Sequence, residues 1–150
     1  MKPQTIVIHH LVKGADLNHH DTLFAGRGAE WLVEAGFIAA ASLTCPENIV
    51  CLNIHGMVFS RPVPKGSLLK FESQIVYSGR TSLVAYVRVV FSQTEEFVVE
   101  GFLTFIHVNN GSPAPHGITL EPATPAATAL YEKARHLKES GHKTAARPGN

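Results

Sequence analysis

What this chain lacks narrows it first. It has only two cysteines, Cys45 and Cys51, six residues apart with no Cys-x-x-Cys pair. Without such spacing they read as reduced, partly buried thiols, neither a disulfide framework nor a zinc site. Charge of one sign is scarce as well: the net charge is +1 with His counted neutral. No basic excess is left to neutralise a run of phosphates, which argues against nucleic acid as a partner. Long apolar runs are missing; Phe37-Ile38-Ala39-Ala40-Ala41 falls far short of the roughly 20 residues of a membrane span. Met1-Lys2-Pro3-Gln4 leads straight into a strand-like run and reads as no signal peptide, so a soluble, cytoplasmic protein is expected. No GxSxG, Walker or dinucleotide-binding fingerprint occurs.

What is present is ordinary globular stock: 150 residues, 45% hydrophobic and 17% charged, enough for one domain with a real core. Nine histidines make the net charge pH-dependent near neutrality. Thr5 to Val12 reads as a strand, and Lys13 to Phe24 as a polar loop. Ala25 to Leu43 has helix composition and is apolar nearly all round, so it should be buried nearly all round. Four strand-like segments follow, near residues 49–61, 67–78, 81–93 and 97–108, joined by short turns. Alternation over Ser82 to Val89 suggests antiparallel strands with one wetter face. A lone helix can be enclosed only if the sheet curls around it. The expected fold is therefore α+β, a five-stranded antiparallel sheet wrapped on one long central helix. Residues 1–120 form that domain. Residues 121–150 read as a C-terminal arm with a short helix over Ala126 to Ser140 and a frayed tail from Gly141.

Three constellations could carry chemistry. Asp16 to Gly26 feeds the helix start, where free N–H groups and the dipole favour a developing negative charge. The competing reading is an ordinary helix capped by Asp21 or Thr22. Glu30 and Glu34 share one face of an otherwise apolar helix, and a carboxylate held there could act as general base or nucleophile. They could equally pair with Arg27 at a helix edge or a dimer seam. Gly79-Arg80-Thr81-Ser82 at one turn, with Arg61 and Lys65 near another, offers cations and hydroxyls for phosphates or merely a polar hairpin. The adjacent pairs His9-His10 and His19-His20 lack metal-ligand spacing.

Taken together, these segments resemble the hotdog-fold acyl-CoA thioesterases, the acyl-CoA hydrolase branch in particular. Asn18-His19-His20-Asp21-Thr22-Leu23-Phe24-Ala25-Gly26 looks like that family's Asn-His-x-x-Thr-Leu-Phe-Gly-Gly opening. Glu30-Trp31-Leu32-Val33-Glu34-Ala35 is similar to its Glu-Trp-hydrophobic-Asp-Glu-Ala helix. Arg61-Pro62-Val63-Pro64-Lys65-Gly66 and Gly79-Arg80-Thr81-Ser82 resemble its Pro-Val-x-x-Gly and Gly-Arg-Ser/Thr-Ser turns. The likeness runs from about Thr5 to Val108 and implies hydrolysis of an acyl-CoA to free acid and coenzyme A, with no cofactor. It implies homodimers or larger dimer-based assemblies, with sites across the seam and two helices back to back. Asn18 would orient the acyl group or water, and the Ala25 amide would polarise the carbonyl. Gly79, Arg80, Thr81, Ser82, Arg61 and Lys65 would hold coenzyme A. One departure stands out: Val33 occupies the family's helix-acid position, eight residues after Ala25. The base is then Glu30 or Glu34, with Glu30 nearer the helix start, and a histidine of the His19-His20 pair next in line. A non-catalytic acyl-CoA-binding or sensing module is the alternative on the same fold. A hotdog dehydratase would need His and acid spacings that are not found.

Overall fold

The computed structural model describes residues 4–145, with side chains described as far as residue 141. β-branched and apolar residues at alternating positions build an antiparallel sheet. Its strands are β1 (Ile6–Leu11), β2 (Ile49–His55), β3 (Leu68–Ser78), β4 (Ser82–Phe91) and β5 (Phe97–Asn109), in the spatial order β1-β3-β4-β5-β2. A two-residue β6 (Ser112–Pro113) folds back on the end of β5. The sheet curls around α1 (Ala25–Leu43), the helix read from the sequence with the same limits. This is the hotdog architecture.

Small residues let α1 lie close to the sheet. A Cβ on Gly36 would stand 3.0 Å from Leu103 Cδ1 and 3.5 Å from Ala85 Cβ. Ala35, Ala39 and Ala40 are buried on the same side, beside Trp31 and Leu32. Facing them are Phe71, Ile75, Leu103 and Phe105. Full burial of each large side chain contributes about 1.5–3 kcal/mol. Ser73, also buried, donates its hydroxyl to the Ala35 carbonyl at 2.8 Å and pins the helix to β3.

Three expectations need correction. The helix is covered on one side only: Glu30, Glu34, Ile38 and Ser42, spaced four apart, form an exposed stripe. A five-stranded sheet can wrap one face of a helix, so the other face stays open in a single chain. The second strand stops at His55 rather than Arg61. Gly56, at φ +68°, turns the chain away, and residues 56–60 pair with no strand. The outer face of β4 is not wet, because α2 (Pro125–Ala145) lies across it. Ala134, Leu130 and Leu137 pack on Val76, Val84 and Phe102, and Tyr131 meets Tyr77 with ring centroids 5.0 Å apart. The middle strands are thus covered on both faces, which explains the nearly unbroken burial from Ser82 to Val87.

The arm before α2 is pinned to the sheet. His116 bonds the Ser82 carbonyl at 2.9 Å, and Leu120 is buried. The helix runs past Ser140, where fraying was expected, to Ala145. The rest of that expected tail, 146–150, lies outside the described residues. Among the described residues no helix is long and apolar enough to cross a membrane.

Candidate active site

The loop before α1 is built around two short polar side chains. The Asn18 Oδ1 accepts the amides of His20 at 2.8 Å and Thr22 at 3.2 Å, while its Nδ2 donates to Thr22 Oγ1 at 3.1 Å. Asp21, at φ +60°, takes the left-handed conformation that Asp tolerates better than most residues. Asn18 and Thr22 therefore close the loop on itself and are not helix caps. Leu23 donates its amide to the Val63 carbonyl at 2.8 Å, tying the loop to the Pro62–Gly66 turn.

The helix cap is Phe24, whose side chain makes no capping bond, and the first turn holds no acid. The expected cap by Asp21 or Thr22 is thus not used. Among the described residues, the amides of Ala25 and Gly26 have no acceptor. They carry the positive end of the helix dipole, and the geometry suits an incoming oxygen that gains negative charge. The Phe24 ring packs on the side-chain side of Gly26, where a Cβ would stand 2.5 Å from Phe24 Cε1.

Asp16, missed as a site residue, supports this helix start. Only 6% exposed, it accepts the Lys13 amide at 2.9 Å and pairs with Arg27 Nε at 3.4 Å. Its carbonyl accepts the Phe24 amide at 2.8 Å. The sequence placed it in a polar loop and gave no sign of burial. On the neighbouring flank His10 stacks on Trp31, centroids 4.3 Å apart and planes 6° from parallel. Burial lowers the His10 pKa below 6.5, against the opposing pull of Glu34 and Asp16.

Glu30 and Glu34 both project from the open stripe of α1, away from the sheet. Glu30 pairs with Arg27 at 3.3 Å, the edge pairing raised as its alternative. Beside Ala25 a narrow apolar cleft runs inward between α1 and the sheet, bounded by Leu23, Val63, Phe71, Val98 and Phe59.

The remaining expected residues fall into two groups. Arg61 and Lys65 lie at the helix-start end. Arg61 is engaged by Glu96, by the Phe97 carbonyl at 3.2 Å and by the Phe91 ring at 5.1 Å. Lys65 reaches over Gly14. Gly79, Arg80, Thr81 and Ser82 sit at the other end of β3, an 11-residue strand that spans roughly 33 Å. Within one chain the two groups do not meet. Arg80 is exposed and makes no ion pair among the described residues, whereas Ser82 is buried with its hydroxyl unbonded. A Cβ at Gly79 would stand 2.5 Å from Ser82 Oγ, so a side chain there would force that hydroxyl to shift.

Residues 20–97 match the family model of the thioesterase superfamily. The chain belongs to the thioesterase superfamily. Protein VdlD of Helicobacter pylori is 28% identical over 138 residues, covering 89% of this chain and 78% of that protein. An uncharacterized acyl-CoA thioester hydrolase, YkhA of Bacillus subtilis, is 28% identical over 105 residues, 67% of this chain and 60% of that one. Among solved structures, a hexameric acyl-CoA thioesterase superposes with a TM-score of 0.82 at 31% identity, covering 96% of this chain and 94% of that one. As a thioesterase, this chain is a thioester hydrolase. The uncapped helix start beside an apolar cleft is the part of its fold suited to a thioester carbonyl.

Proposed function

We propose that this thioesterase hydrolyses acyl-CoA to the free acid and coenzyme A, in the cytoplasm and without a metal or organic cofactor. The observation that carries the reading is the pair of unclaimed amides at Ala25 and Gly26, at the mouth of an apolar cleft. The carbonyl oxygen sits at the Ala25 amide and the acyl chain points into the cleft. A water oxygen adds to the carbonyl carbon while a carboxylate takes its proton. The C–S bond then breaks, and the thiolate leaves and is protonated.

The working unit is a homodimer, alone or within a larger assembly. β2 is an edge strand whose Val50, Leu52 and Ile54 are 52%, 61% and 43% exposed. An exposed apolar edge favours pairing with a second copy across a two-fold axis. Antiparallel β2 pairing reverses one copy against the other. The Arg80 end of one chain then meets the Ala25, Arg61 and Lys65 end of its partner. The same operation turns the open stripe of α1, with Glu30 and Glu34, toward the other copy's helix. Coenzyme A would thus lie between two chains, with Arg80, Thr81 and Ser82 from one and Lys65 from the other.

Release of free thiol from acyl-CoA substrates of graded chain length tests the reading. Turnover supports it. Tight binding of acyl-CoA with no thiol released would instead establish a binding module. A monomer by light scattering at micromolar concentration would overturn the shared site.

A further inference from the structure

Resting on the acyl-CoA reading, we infer that Phe59 is the residue that sets how long an acyl chain this enzyme accepts. Apart from Arg61, the cleft beside Ala25 is lined by apolar residues, with Leu23, Val63, Phe71, Val89 and Val99 among its walls. Its free volume is about 40 Å³. Pockets that enclose a whole small ligand run to roughly 300–1,000 Å³, so the room within one chain fits a short stub of acyl chain.

The ring that limits it is identifiable. Phe59 lies against the first turn of α1, where Gly28 leaves room for it. A Cβ at position 28 would stand 3.1 Å from Phe59 Cε1 and 3.6 Å from its Cζ. Gly28 is three residues beyond Ala25, so the ring occupies space one helical turn from the oxyanion amide. The other limiting groups are fixed. Phe71, Val89 and Val99 belong to paired strands, and Val63 accepts the Leu23 amide. Phe59 differs from them in two ways. It is 39% exposed, and it sits in residues 56–60, which pair with no strand. A wall anchored on one side by the sheet and on the other by an unpaired segment can be moved or cut back without dismantling the core.

Arg61, two residues on, cannot take this role. Its guanidinium is held by Glu96 and Phe91 at the rim, where it borders the cleft without filling it.

The test measures kcat/KM on acetyl-, butyryl-, octanoyl- and palmitoyl-CoA for the wild type, Phe59→Ala, Phe59→Leu and Phe59→Trp. The wild type should favour the short chains. Phe59→Ala should raise the octanoyl-to-acetyl ratio of kcat/KM by about 10-fold or more, the scale at which apolar pockets discriminate chain length. Phe59→Leu should shift it less, and Phe59→Trp should lower it. Far-UV circular dichroism and melting temperatures close to those of the wild type show that the variants fold. Acyl-CoA turnover whose chain-length ratios do not change in Phe59→Ala overturns the role of Phe59 and leaves the enzyme reading standing. No turnover of any acyl-CoA by the wild type overturns that reading, and the role of Phe59 with it.

Discussion

The carboxylate of Asp16 stands 3.4 Å from the guanidinium of Arg27, with the acid almost wholly buried and the base 39% exposed. Arg27 lies in the first turn of α1, where the helix dipole disfavours a cation. Asp16 from below and Glu30 from above offset that cost and turn the guanidinium along the helix flank. The same Asp16 carbonyl receives the Phe24 amide, so one loop residue fixes both the charge and the starting position of α1.

Replacing Asp16 by Ala should therefore destabilise the protein by about 1–3 kcal/mol, since the Lys13 amide and Arg27 lose their acceptor. Asp16→Asn, which keeps an acceptor, should lose less. Urea unfolding of the three proteins decides this, and an unchanged midpoint for Asp16→Ala would remove Asp16 from the support of the helix.

The Ala25 amide can be deleted without harming the helix. Ala25 is the first helical residue, where proline is tolerated, and Phe24 at φ −64°, ψ 126° already has the backbone preferred before proline. Ala25→Pro should keep the far-UV circular dichroism and melting temperature while kcat falls about 10²–10³-fold. A folded variant with full kcat would show that the oxyanion is held elsewhere.

A water nucleophile needs a base, and Val33 cannot supply one. Single Glu30→Gln and Glu34→Gln variants should separate the candidates, one losing about 10²–10⁴ in rate and the other little. Glu30 is nearer the helix start, although its partner Arg27 must release it to accept a proton. Full activity in both variants would end the helix-carboxylate mechanism and turn attention to His19 and His20.

Stability should fall on acidification below about pH 6.5. Burial depresses the pKa of His10, and likewise that of His55, so the unfolded chain binds protons more readily than the folded one. Their stabilising contribution is complete above 6.5 and drains away as pH drops through the lower folded values. His10→Phe keeps an aromatic ring against Trp31 and removes one titration. Its stability should depend less steeply on pH between about 7 and 5 than the wild type's, by denaturant titration. Equal slopes would mean that His10 charges as easily folded as unfolded.

Much of this molecule is determined by local pattern. The limits of α1 follow from the polar loop before Ala25 and the apolar run up to Leu43. The strands follow from β-branched segments cut by Gly and Pro turns, and the antiparallel order from their short connections. Asn18-His19-His20 stands out through its likeness to a family opening, and the two glutamates because a carboxylate on an apolar helix costs free energy unless it is paired or functional. Tertiary structure decided what depends on distance across the chain. Asp16 and Glu47 are both acids in polar stretches, yet only Asp16 is buried, because Arg27 and the Lys13 amide are brought to it in space. The alternation in β4 could not reveal that α2, about fifty residues later, would dry its outer face. Arg61 and Arg80 read alike as phosphate ligands, but the length of β3 holds them at opposite ends of the sheet, and Glu96 occupies the first. Burial and pairing are properties of neighbours, and a chain chooses its distant neighbours only by folding.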